Sequence, residues 1–481
     1  GLLEAESSAT LTIDSTVDNG VVSGTAGTVE AGSAGTVILD ATIQDGLVGP
    51  SVTGQVVIDG GTFEMESGAS VTVPIKFEGS PAGTLEILGV ASVTVSGSNG
   101  DITAVAGDTI TLTSGTADTI TGKGFTVDLS AGTQVTVGGN GAAGTADVVN
   151  GSNASVTVQA SSHVSLIGSS DTGSMGAGSN LTISGSNDTI TATTGDGIRL
   201  LSGTGDTIDG ASYAVVAANN LGFTINGAGG VVFGGTSDTI TLGASSTMNL
   251  EGSSDTVAAA SGDAIALKTG TSDTVTGAGV VVYPSAGTGV TVGGNGPAGK
   301  VDVVVGSNAT VGVEASSHAT LFGSTDAVTI GSSSNVAIDG STNTVTAAAG
   351  DQITLVSGTG DTFSGNGFAA QGDSGVSFTI KGTGDLAYAG LNDVITDSGA
   401  STLIRILGNV GSLKISSFGS DSTGVIDLLN GVGGYATAAA AFAALTSDGS
   451  GGSKLSLGAD GTIDIANDPP ASLKVSNFKI G

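Results

Sequence analysis

The sequence predicts an all-β fold, an elongated parallel β-solenoid of the right-handed β-helix kind. Three observations lead there. A cassette G-D-x-I-x-L-x-[S/T]-G-T-x-D-T-x-x-G recurs at Gly107–Gly122, Gly195–Gly210, Gly262–Gly277 and Gly350–Gly365, and each copy alternates apolar and polar residues, breaks at Ser/Thr-Gly-Thr, then alternates again, which is strand, turn, strand. The closing Asp-Thr pairs begin at Asp118, Asp206, Asp273 and Asp361, steps of 88, 67 and 88 residues; these steps share a unit of about 22, a solenoid-length coil. Finally, residues 100–210 align without gaps onto 255–365 at an offset of 155, with GSNASVTVQASSHVSLIGSS at Gly151–Ser170 facing GSNATVGVEASSHATLFGST at Gly306–Thr325. A duplication inside a stack must keep its phase, and seven coils of about 22 residues would keep it.

Taken in order, residues 1–100 read as N-terminal β coils or a cap. Leu11–Gly46 and Gly54–Gly89 alternate between Gly-containing turns, and Pro50, Pro74 and Pro81 suit turns or edges where no ladder N–H is needed. Residues 101–370 are the repeat solenoid. Asp and Asn recur at its turns, where they bond their own backbone and tolerate left-handed geometry. Stacked coils bring Thr and Asn into outward ladders and leave Val, Ile, Ala and Thr to fill a narrow interior. Stacked Asp residues repel at about 4.8 Å unless cations bind or the turns splay. Residues 371–481 form a C-terminal capping and export or assembly region. In it the repeat decays, and Tyr435–Thr446 (YATAAAAFAALT) is the one stretch with clear helical propensity.

Composition bounds the function. The net charge is −32 with only 11 Lys and Arg, so the chain lacks the basic footprint that nucleic acid or an anionic membrane needs. No Cys is present, which excludes disulfides, thiolate metal sites and cysteine nucleophiles and fits an exported bacterial protein. No apolar run is long enough to span a membrane. The chain opens GLLEAESSAT rather than with Met, as a processed chain or a piece of a longer one would.

Chemistry is sparse. His163 and His318 occupy equivalent places in the duplicated block, each in Ala-Ser-Ser-His, the pattern of a turn residue copied with its coil. The only arginines are Arg199 and Arg405, and Tyr213, Tyr283, Tyr388 and Tyr435 are scattered; a β-helix polysaccharide lyase or hydrolase would need basic residues and aromatic faces together. The glycine runs lack the Lys and helix of a phosphate loop. No catalytic residue and no required cofactor is assigned. The residues admit calcium or another hard cation, with the turn carboxylates Asp118, Asp206, Asp273 and Asp361 as the calcium candidates.

A resemblance enters at the C-terminal end. Asp-Gly-rich repeats joined to ISSFGSDSTGVIDLL at Ile415–Leu429, an Ala-rich helix, DGSGG at Asp448–Gly452 and a terminal SNFKIG resemble the carboxyl end of repeat-rich bacterial proteins exported by type I secretion. That resemblance implies an extracellular adhesin, matrix or surface-layer protein with an uncleaved C-terminal export signal. The calcium nonapeptide G-G-x-G-x-D-x-U-x common in such proteins is not matched in spacing: SGTGDTIDG at Ser202–Gly210 sets its Asp one residue after the nearest Gly.

The functional expectation is therefore a secreted, non-enzymatic structural protein that assembles head-to-tail into a filament, biofilm matrix or surface layer. Its partner is itself, through Leu2, Leu3, Leu11 and Ile13 of the first coils and Leu473, Val475, Phe478 and Ile480 of the last strands. The alternatives are a monomeric adhesin shaft that binds cell-surface or matrix glycan and, third, the polysaccharide enzyme.

Overall fold

The computed structural model describes residues 2–19, 27–44, 54–79, 83–141, 145–294, 300–418 and 423–481. Pro50, Pro81 and part of the Ile415–Leu429 motif (419–422) lie outside them. The chain divides into two compact units, residues 1–239 and 240–481, and each is a stack of parallel β coils.

One coil shows how the sequence makes the stack. Thr109–Leu112 and Asp118–Thr121 are the two strands of the first cassette. Ile110 and Leu112 point inward and are buried, as is Ile120, while the threonines between them face out. A turn follows each strand, so the next coil lays Thr126–Leu129 beside the first strand and Gln134–Gly138 beside the second. Two parallel sheets result, one from each strand of the coil, enclosing a single apolar core.

The coil is shorter than the sequence spacing suggested. Ile110 pairs with Val127 and Gly173 with Ile190, each a step of 17, and Ile190 pairs with Ile208, a step of 18. A step of 22 occurs where a loop is inserted, as between Val127 and Val149. The 88-residue spacing therefore spans five coils rather than four. The same succession of register steps, 17, 21, 17, 17 and 18, recurs in each unit and ends two residues past the cassette aspartate: Asp118–Val135–Val156–Gly173–Ile190–Ile208 in the first, Asp273–Val290–Val311–Val328–Val345–Phe363 in the second. The duplication keeps phase as expected, on a different coil length.

The first coils are wider. Val29 pairs with Leu3 on one side and with Val56 on the other, longer steps than those above, because a third short sheet, Val17–Asp18, Thr42–Gln44 and Ser70–Val71, is added to each coil. Pro74 stands between this sheet and the strand Ile75–Glu78, after which coils have two strands.

The interior also differs from expectation in one respect. Val, Ile, Leu and Phe fill it, with Phe63, Phe125, Phe363, Phe368 and Phe378 fully buried, whereas Thr lies mostly outside in ladders such as Thr119–Thr136–Thr157. Its hydroxyl meets water there, and its branched side chain still suits the pleat.

The second unit ends in a cap. Gly461–Ala466 joins the stack parallel to Gly411–Ser416, and Ser453–Ser456 then lies antiparallel on it. The helix Ala438–Ala443, within the stretch singled out in the sequence, starts at Thr437, whose Oγ1 accepts from Ala440 N at 3.1 Å. Its Phe442 packs on Phe478 of the last strand, Phe478–Ile480, with ring centroids 6.4 Å apart.

Candidate functional site

The chemistry of this fold is concentrated at the corners between strands. Before the strands of one sheet, Ala154 N donates to Asp171 Oδ1 at 2.9 Å, Asp171 N to Asp188 Oδ1 at 2.9 Å and Asp188 N to Asp206 Oδ1 at 3.0 Å. Each carboxylate thus receives the corner amide of the coil before it. The second unit repeats the ladder from Ala309 through Asp326 and Asn343 to Asp361. At the other corner the carboxylate bridges two amides: Asp108 accepts from Ala91 N and Val105 N, and Asp351 from Ser334 N and Ala348 N.

Glycine makes the first kind of corner possible. A Cβ on Gly185 would stand 1.5 Å from Gly168 O, and one on Gly340 1.6 Å from Gly323 O, so the backbones of successive coils touch where any side chain would intrude. The outer carboxylate oxygen points toward this column. Oδ2 of Asp171, Asp188, Asp273 and Asp361 is buried without a hydrogen-bond partner, as is that of Asp147 at the other corner.

Burial without full solvation disfavours the charge. Desolvation pushes the Asp147 carboxyl up to about 7 and Asp118 and Asp188 up to about 6, against the lowering effect of the amides they accept; Asp206 and Asp171 add repulsion at Asp188. Asp206, Asp273 and Asp361 are raised by the same cause. Burial is the main cause at each of these carboxyls, and repulsion between stacked aspartates adds to it at Asp188.

The four aspartates considered for calcium, Asp118, Asp206, Asp273 and Asp361, are all buried in this ladder and engaged by Gly100 N, Asp188 N, Asp255 N and Asn343 N. Among the described residues no three His, Asp or Glu side chains converge in a way that could hold a metal ion. His163 begins a strand, its backbone held by Asn140, which accepts from His163 N at 2.8 Å and donates to His163 O at 2.5 Å.

Of the residues considered for assembly, Leu2 and Leu3 are exposed, Leu11 is half-buried and Ile13 is buried. Their strands, Leu2–Ala5 and Thr10–Ile13, are hydrogen-bonded on one side, to Thr28–Ala31 and Thr36–Leu39. At the other end Val475 is exposed and Ile480 half-buried, while Leu473 and Phe478 are covered by the cap itself.

One group escaped the sequence reading. Tyr388, Arg405, Asp427 and Lys479 are register partners in four successive strands. Arg405 Nη1 donates to Tyr388 Oη at 3.3 Å, and the buried Asp427 carboxylate faces Arg405 Nε at 3.5 Å and Lys479 Nζ at 3.2 Å. The row clips the last strand to the stack. No sequence spacing announces it, because Lys479 returns to the sheet only after the chain has built the cap.

Comparisons with protein-family models, curated proteins and solved structures give no match. What the chain does must be argued from its coils.

Proposed function

We propose that this chain is a structural protein of the bacterial exterior that self-assembles head-to-tail into a filament, matrix or surface layer. The observation that carries the reading is that coil-on-coil stacking holds the described coils of each unit: ladder bonds, corner carboxylates and apolar rows all run from one coil to the next. The face at Leu2–Ile13, bonded on one side and bearing exposed Leu2 and Leu3, is then a docking surface for a coil of the same kind, whichever chain supplies it. Export through a C-terminal signal goes with this reading.

Negative-stain electron microscopy of the purified protein, with and without millimolar calcium, tests it. Fibres of uniform width are expected, and Leu2→Lys/Leu3→Lys should shorten or abolish them. A calcium requirement would give the acidic turns a role in assembly. Unassembled particles under both conditions refute the reading. They would favour the adhesin shaft, whose specific support is the cap: Ser453–Ser456 and then Thr446–Ser447 pair antiparallel beyond Gly461–Ala466, so that sheet ends in a short antiparallel hairpin instead of a parallel coil strand.

A further inference from the structure

The two duplicated blocks share a register, so each is a control for the other. Where they differ, the second block has changed two outward faces of the same few coils. On one sheet, Val281 and Val282 pair with Val303 and Val304, a register that sets Tyr283 beside Val305, and Val305 pairs with Phe322. Tyr283, Val305 and Phe322 are 45%, 37% and 41% exposed, an apolar ridge across three coils. In the first block the corresponding residues are Asp128, Asn150 and Ile167, and Asn150 Nδ2 donates to Asp128 Oδ1 at 2.8 Å. Half-buried Val281 beside the ridge likewise replaces Thr126.

The other sheet of these coils carries the reverse. A groove of about 580 Å³ opens over Gly289 and Gly312, between Thr291, Thr310 and Thr329, with Glu314 at its rim. The first block fills these two positions with Gln134 and Thr157, both exposed side chains. The removal is local: Gly289 lies over Thr310 with room for a Cβ, and a Cβ on Gly312 would stand 2.7 Å from Thr291 Oγ1, so that side chain must turn aside.

We infer that this ridge and groove are the two halves of a side-by-side contact between copies of this chain, the ridge of one seated in the groove of the next. Opposite faces of the same coils carry the two halves, so the contact is heterologous and leaves a free ridge and a free groove at the margins of any array. The ridge suits the groove chemically. Two aromatic side chains enter a space floored by threonine methyls and bare backbone, and the Tyr283 hydroxyl supplies a donor for the Glu314 carboxylate at the rim. The ridge side chains are less than half exposed, so one contact buries well under the area of a specific interface. A pair of molecules is therefore weakly held, and repetition along an array sustains the association. Because the chain carries −32, copies repel at low ionic strength and salt favours the contact. The inference rests on the structural reading above but concerns width rather than length of the assembly.

The test uses the full chain and two variants that restore first-block residues: a ridge variant, Tyr283→Asp/Val305→Asn, and a groove variant, Gly289→Gln/Gly312→Thr. Sedimentation velocity in 0.5 M salt should show wild-type protein associating laterally and each variant alone weakened at least tenfold. Mixed together in the Leu2→Lys/Leu3→Lys background, which removes end-to-end growth, the two variants should pair one to one and stop, since only one ridge and one groove remain. Lateral association of the groove variant alone would mean that ridges meet ridges, and overturns the inference, as does wild-type protein that shows no lateral association. Circular dichroism of each variant against wild type controls for folding. The Leu2→Lys/Leu3→Lys protein separates the two readings: it should lose fibre length and keep lateral association, and if it loses both, the lateral contact is not a separate surface.

Discussion

Asp188→Asn should stabilise this protein at neutral pH and do little in acid. The duplication has already made the exchange, because Asn343 stands where the second block would have the counterpart of Asp188, in the same ladder. There Asn343 Nδ2 donates to Gly323 O at 3.3 Å, a bond that the unpartnered Oδ2 of Asp188 makes only when protonated. Raising a carboxyl from its ordinary value of about 3.9 to about 6 corresponds to ~3 kcal/mol at pH 7. Solvent screening at the corner reduces that to roughly half, and the added amide bond contributes about 1 kcal/mol. The expected gain is therefore about 2.5 kcal/mol, or roughly 5–10 °C in the melting temperature of a unit this size. The folded state holds the Asp188 proton more tightly than the unfolded state, so this group's contribution to stability is intact below pH ~4 and falls as pH rises to about 6. Thermal unfolding of both proteins at pH 7.5 and 4.5 measures it: the gain should be present at the first and shrink to about 1 kcal/mol or less at the second. Asn343→Asp should do the opposite. An Asp188→Asn protein no more stable than wild type at pH 7.5 would refute the argument that the corner carboxyls are held at a cost.

Two further substitutions probe the stack. Gly185→Ala places a Cβ where Gly168 O already stands; a loss of at least roughly 3 kcal/mol is expected in denaturant unfolding, and a loss under about 1 kcal/mol would show that the glycine column yields easily. Asp427→Ala removes the carboxylate between Arg405 and Lys479 and should loosen the last strand by about 2 kcal/mol. Faster amide hydrogen exchange confined to Phe478–Ile480 and its neighbours is the signature, and unchanged exchange there would mean that Phe442 and the ladder hold the strand without the charged row.

The alternation of Thr with Ile, Val and Leu carries the solenoid, and it was legible because each strand has one wet and one dry face. The coil length was not. A spacing of 88 divides into four or five coils of plausible size, and the sequence holds nothing to decide between them; the decision lies in the pairing of Ile110 with Val127 and of Ile190 with Ile208. Thr was assigned partly to the interior, and its hydroxyl put it outside. The corner aspartates were found as turn residues and candidate ligands. That their acceptors face the preceding coil depends on stacking, which Asp188 and its neighbours do not disclose in sequence. Asp427 and Lys479 meet only because the chain leaves the sheet to build a cap and returns.

The corner ladder has a direction. In each step the amide belongs to the earlier coil and the carboxylate to the later one: Ala154 waits for Asp171, Asp171 for Asp188, Asp188 for Asp206. A coil laid down from the N-terminal side is therefore unfinished until its successor arrives, and the unfinished corner is itself the template that selects an Asp or Asn at the right place. A chain emerging thread-first from a ribosome or a pore can add coils one at a time, each closing the last, with a single open rung travelling along the polypeptide. Such a protein can be long without needing its distant parts to find one another.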